Sequence, residues 1–375
     1  MLDTLIKYRR DLHQIPELEF DLFLTHAYVK KELESFGYEP ITVAKTGLIA
    51  IKKGKSNEAI AFRSDMDALP VTEKCDIPFK SKHEGKMHAC GHDGHMTMLL
   101  GFAKYISELK DINQTIVFIF QPAEEGPGGA KVIIDEGIFE TYNIKKILGL
   151  HLFPGVDEGK MGFANGPMTA QNGEFDIKIH AKSAHGAQPH LGHDAIIAQS
   201  FLVQAYQSIV SRDINPLRPS VITIGTLSGG EARNIIAGEV SLSGTIRVYH
   251  QDVYELIKKR IYEINQGLEI MFNVKIECEI RDYYPAVINH SELFDLALSA
   301  YNPSEYEIVE PLMVAEDFAF YLKKVPGMFA FVGSKNIEKD FIYPLHNNKF
   351  NFSESILEVG VNYYIRMAKA LKIIN

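Results

Sequence analysis

The sequence has no basic tract, no cysteine framework and no long apolar run, and each absence removes a class of function. Lys and Arg total 39 against 48 Asp and Glu, a formal net charge of −9, and the longest basic run is Lys258-Lys259-Arg260. Phosphate backbones are bound by clustered Lys and Arg, so no nucleic-acid partner is expected. The three cysteines, Cys75, Cys90 and Cys278, are odd in number and widely spaced, which argues against disulfides. Cys75 and Cys278 read as small buried hydrophobes. No stretch reaches the about 18–20 apolar residues that span a bilayer, so no membrane partner is expected. The first residues, "MLDTLIKYRRDLHQ", carry charges throughout and lack the apolar segment of a secretory leader, which points to the cytoplasm. Internal repeats and low-complexity segments are absent as well.

What is present is an ordinary globular composition, 46% hydrophobic and 23% charged, on a chain of 375 residues, long enough for two domains. Residues 2–36 have helical spacing with a break at Pro16. "GLIAIKKG" (47–54), "AIAFRSDMD" (59–67), "TIVFIFQP" (115–122) and "KILGLHL" (146–152) read as strands, with helices over 95–109 and 129–137. This alternation predicts an α/β fold with a mixed, largely parallel sheet flanked by helices. Near residue 172 the pattern changes. "EFDIKIHAK", a helix over 194–211, a hairpin from "SVITIGTLSGG" and "EVSLSGTIRVY", a helix over 252–270 and "VKIECEIRDYY" spell β-α-β-β-α-β, a ferredoxin-like module. The expected organisation is a catalytic domain of residues 1–171 and 284–375, interrupted by a lid and dimerisation domain over 172–283.

Chemistry-bearing residues gather at predicted strand ends. "MHACGHDGHM" (87–96) sets Cys90 and His92 at a strand-to-helix junction. Taken alone, this is as compatible with a buried thiol and surface histidines as with a metal site. "FQPAEEGPGGA" (120–130) sets Glu124 and Glu125 directly after a buried strand. Adjacent carboxylates there repel unless a cation takes one as ligand and leaves the other as a base. The glycines that follow imply a close backbone approach to something. His151 ends an apolar strand, where a lone histidine is more often a core group than a ligand. His346 lies in the loop "IYPLHNNKF", and Asp65 and Asp67 close the strand of "AFRSDMDALP". In open α/β sheets the carboxyl ends of strands form the site crevice, so these weak signals fall on one edge and together favour metal.

The motifs "RRDLHQIPEL", "RSDMDALP", "HACGHDGH", "QPAEEGPGGA", "AHGAQPHLGHDAI", "ARNIIA" and "EDF…PLHN" run through the chain in order. They resemble the M20 metallopeptidase/amidohydrolase clan, in its amidohydrolase branch. The resemblance implies Cys90, His92, Glu125, His151 and His346 as ligands of one or two divalent ions (Zn, Mn, Co or Ni), with Cys90 bridging. It implies Glu124 as the general base that takes a proton from water and hands it to the leaving amine. Asp65, where relatives have a metal-binding histidine, is open between catalytic support and structure. Asp67 would orient a histidine ligand, and Glu316 of "VAEDF" would support the metal shell. In the lid, His185 would stabilise the oxyanion, and Arg233 and Asn234 would hold substrate, with a surface charge the equal alternative for Arg233. The implied substrate is a small N-acyl amino acid. Length, "AEEGPGGA" and the "VITIGTLSGG…NIIA" region are most similar to the branch's N-acetyldiaminopimelate deacetylases. A general N-acyl-amino-acid amidohydrolase is the alternative, and an inactive amino-acid-binding relative ranks below it. The lid would also support a homodimer.

Overall fold

The computed structural model describes residues 1–375, which separate into two compact units. The first comprises Met1–Met168, Val287–Pro311 and Asp317–Asn375; the second comprises Thr169–Ala286 and Leu312–Glu316. The boundaries thus fall a few residues outside 172 and 283, and the short Leu312–Glu316 segment joins the second unit, which no periodicity in the sequence signals. No helix is long and apolar enough to cross a membrane.

The first unit opens with helices α1 (Leu2–His13) and α2 (Phe23–Ser35), separated around Pro16. Strands β1 (Ile41–Val43), β2 (Gly47–Lys52) and β3 (Ser56–Asp65) lead to helix α3 (His92–Ser107), β4 (Gln114–Gln121) and helix α4 (Gly129–Asp135). Then come β5 (Ile144–Asp157) and β6 (Met161–Phe163). With the later Tyr306–Ile308 and Gly327–Lys335 strands they form one eight-stranded sheet in the order β1-β2-β4-β3-β5-(327–335)-β6-(306–308). β4, β3, β5 and the 327–335 strand are mutually parallel, while β1, β2 and β6 join antiparallel. The parallel strands are continuous Ile, Val, Phe and Leu runs because both their faces are covered. Residues of α3 are buried almost throughout, and the helix packs against α1 and the Leu357–Ala370 helix over the sheet.

The second unit is a four-stranded antiparallel sheet in the order Ser220–Gly229, Glu239–Val248, Gln171–His180, Lys275–Asp282. Helices Ala195–Ser208 and Gln251–Phe272 pack on it. In chain order the strands are arranged 4-1-3-2 when read from the Lys275 edge, the arrangement of the split βαβ module. The fold is α/β with an inserted ferredoxin-like unit.

Candidate metal centre

β3 and β4 run parallel and end side by side, Asp65 opposite Gln121. β3 pairs with β5 only as far as Arg63 opposite Gly149, so His151 lies just beyond the edge of that ladder. The turn before α3 brings Cys90 to the same edge. The motif C-G-H-D-G-H accounts for this docking residue by residue. Gly91 starts the helix at φ +86°, and a Cβ on Gly91 or Gly94 would come within 2.8 Å of Leu152 Cδ1. Their missing side chains let the helix start sit on Leu152, the residue after His151. Asp93 turns away to accept from His13 Nδ1 at 2.8 Å and Arg9 Nε at 3.4 Å, tying the turn to α1.

The glutamates are placed by another tight turn. Ala123 has φ +58°, and its carbonyl accepts from the amides of Gly128 and Gly129 at 3.2 and 3.0 Å. The close approach the glycines allow is to their own chain: a Cβ on Gly129 would stand 1.8 Å from the Pro122 carbonyl oxygen. Asp67 clamps the turn from below. Its Oδ1 accepts the Glu124 N–H at 3.0 Å and its Oδ2 the Glu125 N–H at 2.9 Å. His346, at φ +67°, donates its backbone N–H to the Ala89 carbonyl at 2.8 Å, so its loop is pinned to the Cys90 turn.

The side chains converge around the thiol. Cys90 Sγ is 3.4 Å from His151 Nε2 and 3.4 Å from His346 Nε2. Glu125 Oε1 is 3.2 Å from His346 Nε2 and 3.9 Å from His92 Nε2. Potential donor atoms of Cys90, His92 and His151 lie within 4.8 Å of one another, and so do those of Cys90, Glu125 and His346. Cys90 belongs to both groups, the placement a bridging ligand needs. Glu124 joins His92 and Glu125 in a third group.

Whether these residues suit a metal can be tested on their hydrogen bonding. His92 is completely buried, and neither ring nitrogen has a hydrogen-bond partner; Glu125 Oε1, also out of water, has only the close approach of His346 Nε2 at 3.2 Å and of His92 Nε2 at 3.9 Å, with no well-directed hydrogen bond. Buried polar atoms are rarely left so, and here the orphans face one another across a few ångströms. Burial opposes a charge on His92, but Asp65, Asp67 and Glu125 push its pKa up to about 10. Burial, with Glu125 and Glu124, pushes the Cys90 thiol well above its ordinary range. The surroundings therefore call for positive charge, and a divalent cation would supply it and ionise the thiol. The donor set fits a metal. His151 is equally suited: its Nδ1 donates to the Leu152 carbonyl at 2.6 Å, leaving the Nε2 lone pair toward Cys90.

Several anticipated residues take more particular places. Asp67 Oδ1 lies 3.6 Å from His92 Nδ1, just past hydrogen-bond distance, while each of its oxygens accepts one glutamate amide. Asp65 is fully buried; burial opposes its ionisation, yet His92, His95 and Arg63 hold its carboxyl well below the usual range. Glu316 is buried, and its segment, Leu312–Glu316, belongs to the second unit. In that unit the Ala184–His185 pair forms a short ladder with Ile235–Ile236, and Gly186 N donates to Asn234 O at 2.7 Å. His185, Arg233 and Asn234 are thus neighbours there, all exposed. The Ala187 N–H donates to His185 Nδ1 at 3.1 Å, which leaves the Nε2–H as an outward donor.

Arg63, Gln121, His95 and Asp317 were not singled out from the sequence. Arg63 donates from Nη1 to Asp65 at 2.8 Å, from Nη2 to Asp317 at 2.9 Å and from Nε to Gln121 at 2.8 Å. Asp317 also accepts from Gln121 Nε2 and from the Ala130 N–H at the start of α4. An arginine inside the apolar run "AIAFRSD" was the available signal, because a charge there requires buried partners.

Comparison with known proteins identifies the family. The model of peptidase family M20/M25/M40 matches residues 61–370. N-acetyldiaminopimelate deacetylases of Bacillus pumilus and Oceanobacillus iheyensis are 40% and 37% identical, over 96% of both chains for the first, and 98% of this chain and 99% of the other for the second. An uncharacterized hydrolase of Staphylococcus epidermidis is 38% identical over 99% of both chains. Among solved structures, the YXEP protein of Bacillus subtilis, a dinuclear metal-binding peptidase from the M20 family, superposes with a TM-score of 0.87 at 29% identity, covering 100% of this chain and 99% of the other. The chain belongs to peptidase family M20/M25/M40, a family of hydrolases.

Proposed function

We propose that this M20-family hydrolase is a metal-dependent amidohydrolase that cleaves N-acetyl-L,L-2,6-diaminopimelate to acetate and L,L-2,6-diaminopimelate, a cytoplasmic step toward lysine. The observation that carries the amidohydrolase reading is the convergence of Cys90, His92, Glu125, His151 and His346, with orphaned donor atoms, beside the clamped Glu124. The substrate is supported by the names of the Bacillus pumilus and Oceanobacillus iheyensis relatives.

Cys90, His92 and His151 would hold one ion, and Cys90, Glu125 and His346 a second. When bound, such ions supply Lewis acidity and lower the pKa of water toward neutrality. The soft thiolate with imidazole and carboxylate suits Zn, Mn, Co or Ni. The protein's own part is positional. Glu124, fixed by Asp67 at its amide, accepts the proton of the attacking water and delivers it to the departing nitrogen. The family resemblance assigns the oxyanion to His185, whose Nδ1 is already engaged and whose Nε2–H is the donor such a role needs. Arg233 and Asn234 are assigned to the substrate's carboxylate.

The test is amine release from N-acetyl-L,L-diaminopimelate and from hippurate, side by side, with metal-stripped protein titrated with Mn²⁺, Co²⁺ and Zn²⁺. Metal-dependent turnover that strongly favours the diaminopimelate substrate is expected. Preference for hippurate would move the assignment to a general N-acyl-amino-acid amidohydrolase. No turnover of either by folded protein would refute the enzymatic reading for these substrates.

A further inference from the structure

We infer that His95 is a positioning residue for the metal centre: backed by Asp65, its imidazole replaces the missing strand partner of Leu152 and thereby sets the ring of His151. The inference rests on the metal-centre reading above.

The two histidines of C-G-H-D-G-H are three positions apart on α3 and both fully buried, yet their nitrogens are used in opposite ways. Neither nitrogen of His92 has a hydrogen-bond partner. Both nitrogens of His95 are taken: Nδ1 is 2.6 Å from Asp65 Oδ1, and Nε2 accepts the Leu152 N–H at 2.8 Å. A neutral imidazole has one donor and one acceptor. The backbone N–H can only donate, so Nε2 carries the lone pair and Nδ1 the proton, which goes to the carboxylate. No nitrogen of His95 is left for a metal, although Asp65, His92 and His95 lie close enough together to suggest one.

The need for His95 arises in the sheet. The β3–β5 ladder ends at Arg63 opposite Gly149, three residues before Leu152. Past that point the amide of Leu152 has no β3 partner, and a buried N–H requires one. His95 supplies it from α3. The same residue, Leu152, accepts the His151 Nδ1–H through its carbonyl at 2.6 Å, and that bond aims His151 Nε2 at Cys90. A chain of hydrogen bonds therefore runs from Arg63 through Asp65, His95 and Leu152 to the His151 ring. Where relatives are expected to put a metal-binding histidine at position 65, this chain has an aspartate whose oxygens go to Arg63 and His95. On this reading Asp65 acts on the centre through His95.

The experiment uses full-length protein loaded with Co²⁺, reading the affinity by chelator competition and the thiolate-to-cobalt absorption band. Cys90→Ser serves as the check on the metal reading and is expected to lose the band. His95→Leu removes the acceptor and is expected to weaken Co²⁺ binding by about 10–100-fold, the usual effect of losing a partner behind a ligand. His95→Gln, whose side-chain oxygen can accept the Leu152 N–H, is expected to recover most of that loss. Wild-type affinity in both His95 variants, or equal loss in both, would overturn the inference while the Cys90→Ser result leaves the metal reading intact. Should His95→Leu not fold, ¹⁵N-histidine NMR of the metal-free wild type decides. A protonated Nδ1 and bare Nε2 at His95 support the assignment, and the reverse tautomer refutes it.

Discussion

Replacing Gly129 by alanine tests how the glutamate turn is built. The added Cβ would stand 1.8 Å from the Pro122 carbonyl oxygen, and real Cβ contacts essentially never fall under 3.0 Å. That gap must open by about 1.2 Å, against backbone rather than a flexible side chain. Interiors are too closely packed to absorb such a shift locally. The atoms available to move are those of the Pro122–Gly129 turn itself, which carries Glu124 and Glu125 and whose ends are held by the Ala123 carbonyl and by Asp317 at the Ala130 amide. A displacement of about 1 Å in a catalytic group can cost on the order of 100-fold in rate. Gly129→Ala should therefore lower metal-dependent kcat/KM on the acetylated substrate by roughly that factor. The control is Gly137→Ala: Gly137 has φ +76° with nothing within 4 Å of its Cβ. It should lose only the left-handed backbone penalty, about 1 kcal/mol of stability, and keep its activity. A Gly129→Ala protein with activity and Tm within error of wild type would refute the proposed origin of the turn.

Arg63→Met leaves the buried carboxylates of Asp65 and Asp317 without their cation, with only the neutral donors of His95, Gln121 and the Ala130 amide, and is expected to cost about 3–5 kcal/mol. That is roughly 6–20 °C in the first thermal transition of a domain of this size, and a shift under about 2 °C would sink the claim. Cys90→Ser should bind less metal by elemental analysis and lose at least about 100-fold in turnover, since a serine hydroxyl does not ionise as a thiol does; full metal content with full activity would contradict the bridging role. Hydrogen bonds from Arg366 and from the Asn302 amide hold Glu305 to about 2, below its ordinary 4.5. A depressed carboxyl pKa adds stability above about 4.5 that is lost as pH falls toward about 2. The Tm advantage of wild type over Glu305→Gln should accordingly shrink between pH 6 and pH 2 in a thermal-melt series, and an advantage unchanged with pH would contradict the pairing.

Much of the fold was legible because it rests on periodicity. The apolar runs ending at Asp65 and Gln121 and the one through His151 mark strands buried on both faces, although the last strand continues past His151 to Asp157, and the switch to alternation at "EFDIKIHAK" marks the inserted unit. Both patterns follow from which face must leave water. The site was legible to the extent that its residues carry unusual chemistry at strand ends. What stayed hidden were the relations among them. "GPGG" announces a close approach, but only coordinates show that the partner is Pro122, so the glycines shape the turn by contact within their own chain. Nor can spacing reveal that Leu312–Glu316 joins the second unit while Asp317, the next residue, anchors the frame of the first.

The two histidines of C-G-H-D-G-H show why that boundary lies where it does. By residue type, burial and helix position His92 and His95 are equivalent candidates. What separates them is the length of a ladder: because β3 stops at Asp65, and its pairing with β5 stops at Arg63 opposite Gly149, one backbone amide at Leu152 is left to be satisfied by a side chain. His95 is the side chain in reach, and it is spent there; His92 has no such obligation and keeps both nitrogens. A ligand in this centre is therefore defined as much by which imidazoles the backbone leaves alone as by which residues are able to bind. The same logic covers the adjacent aspartates of "RSDMD". Asp65 serves an arginine and a histidine, Asp67 serves two amides, and the residues proposed to bind the cation are the thiol, imidazoles and glutamate whose bonding capacity the fold has left unused.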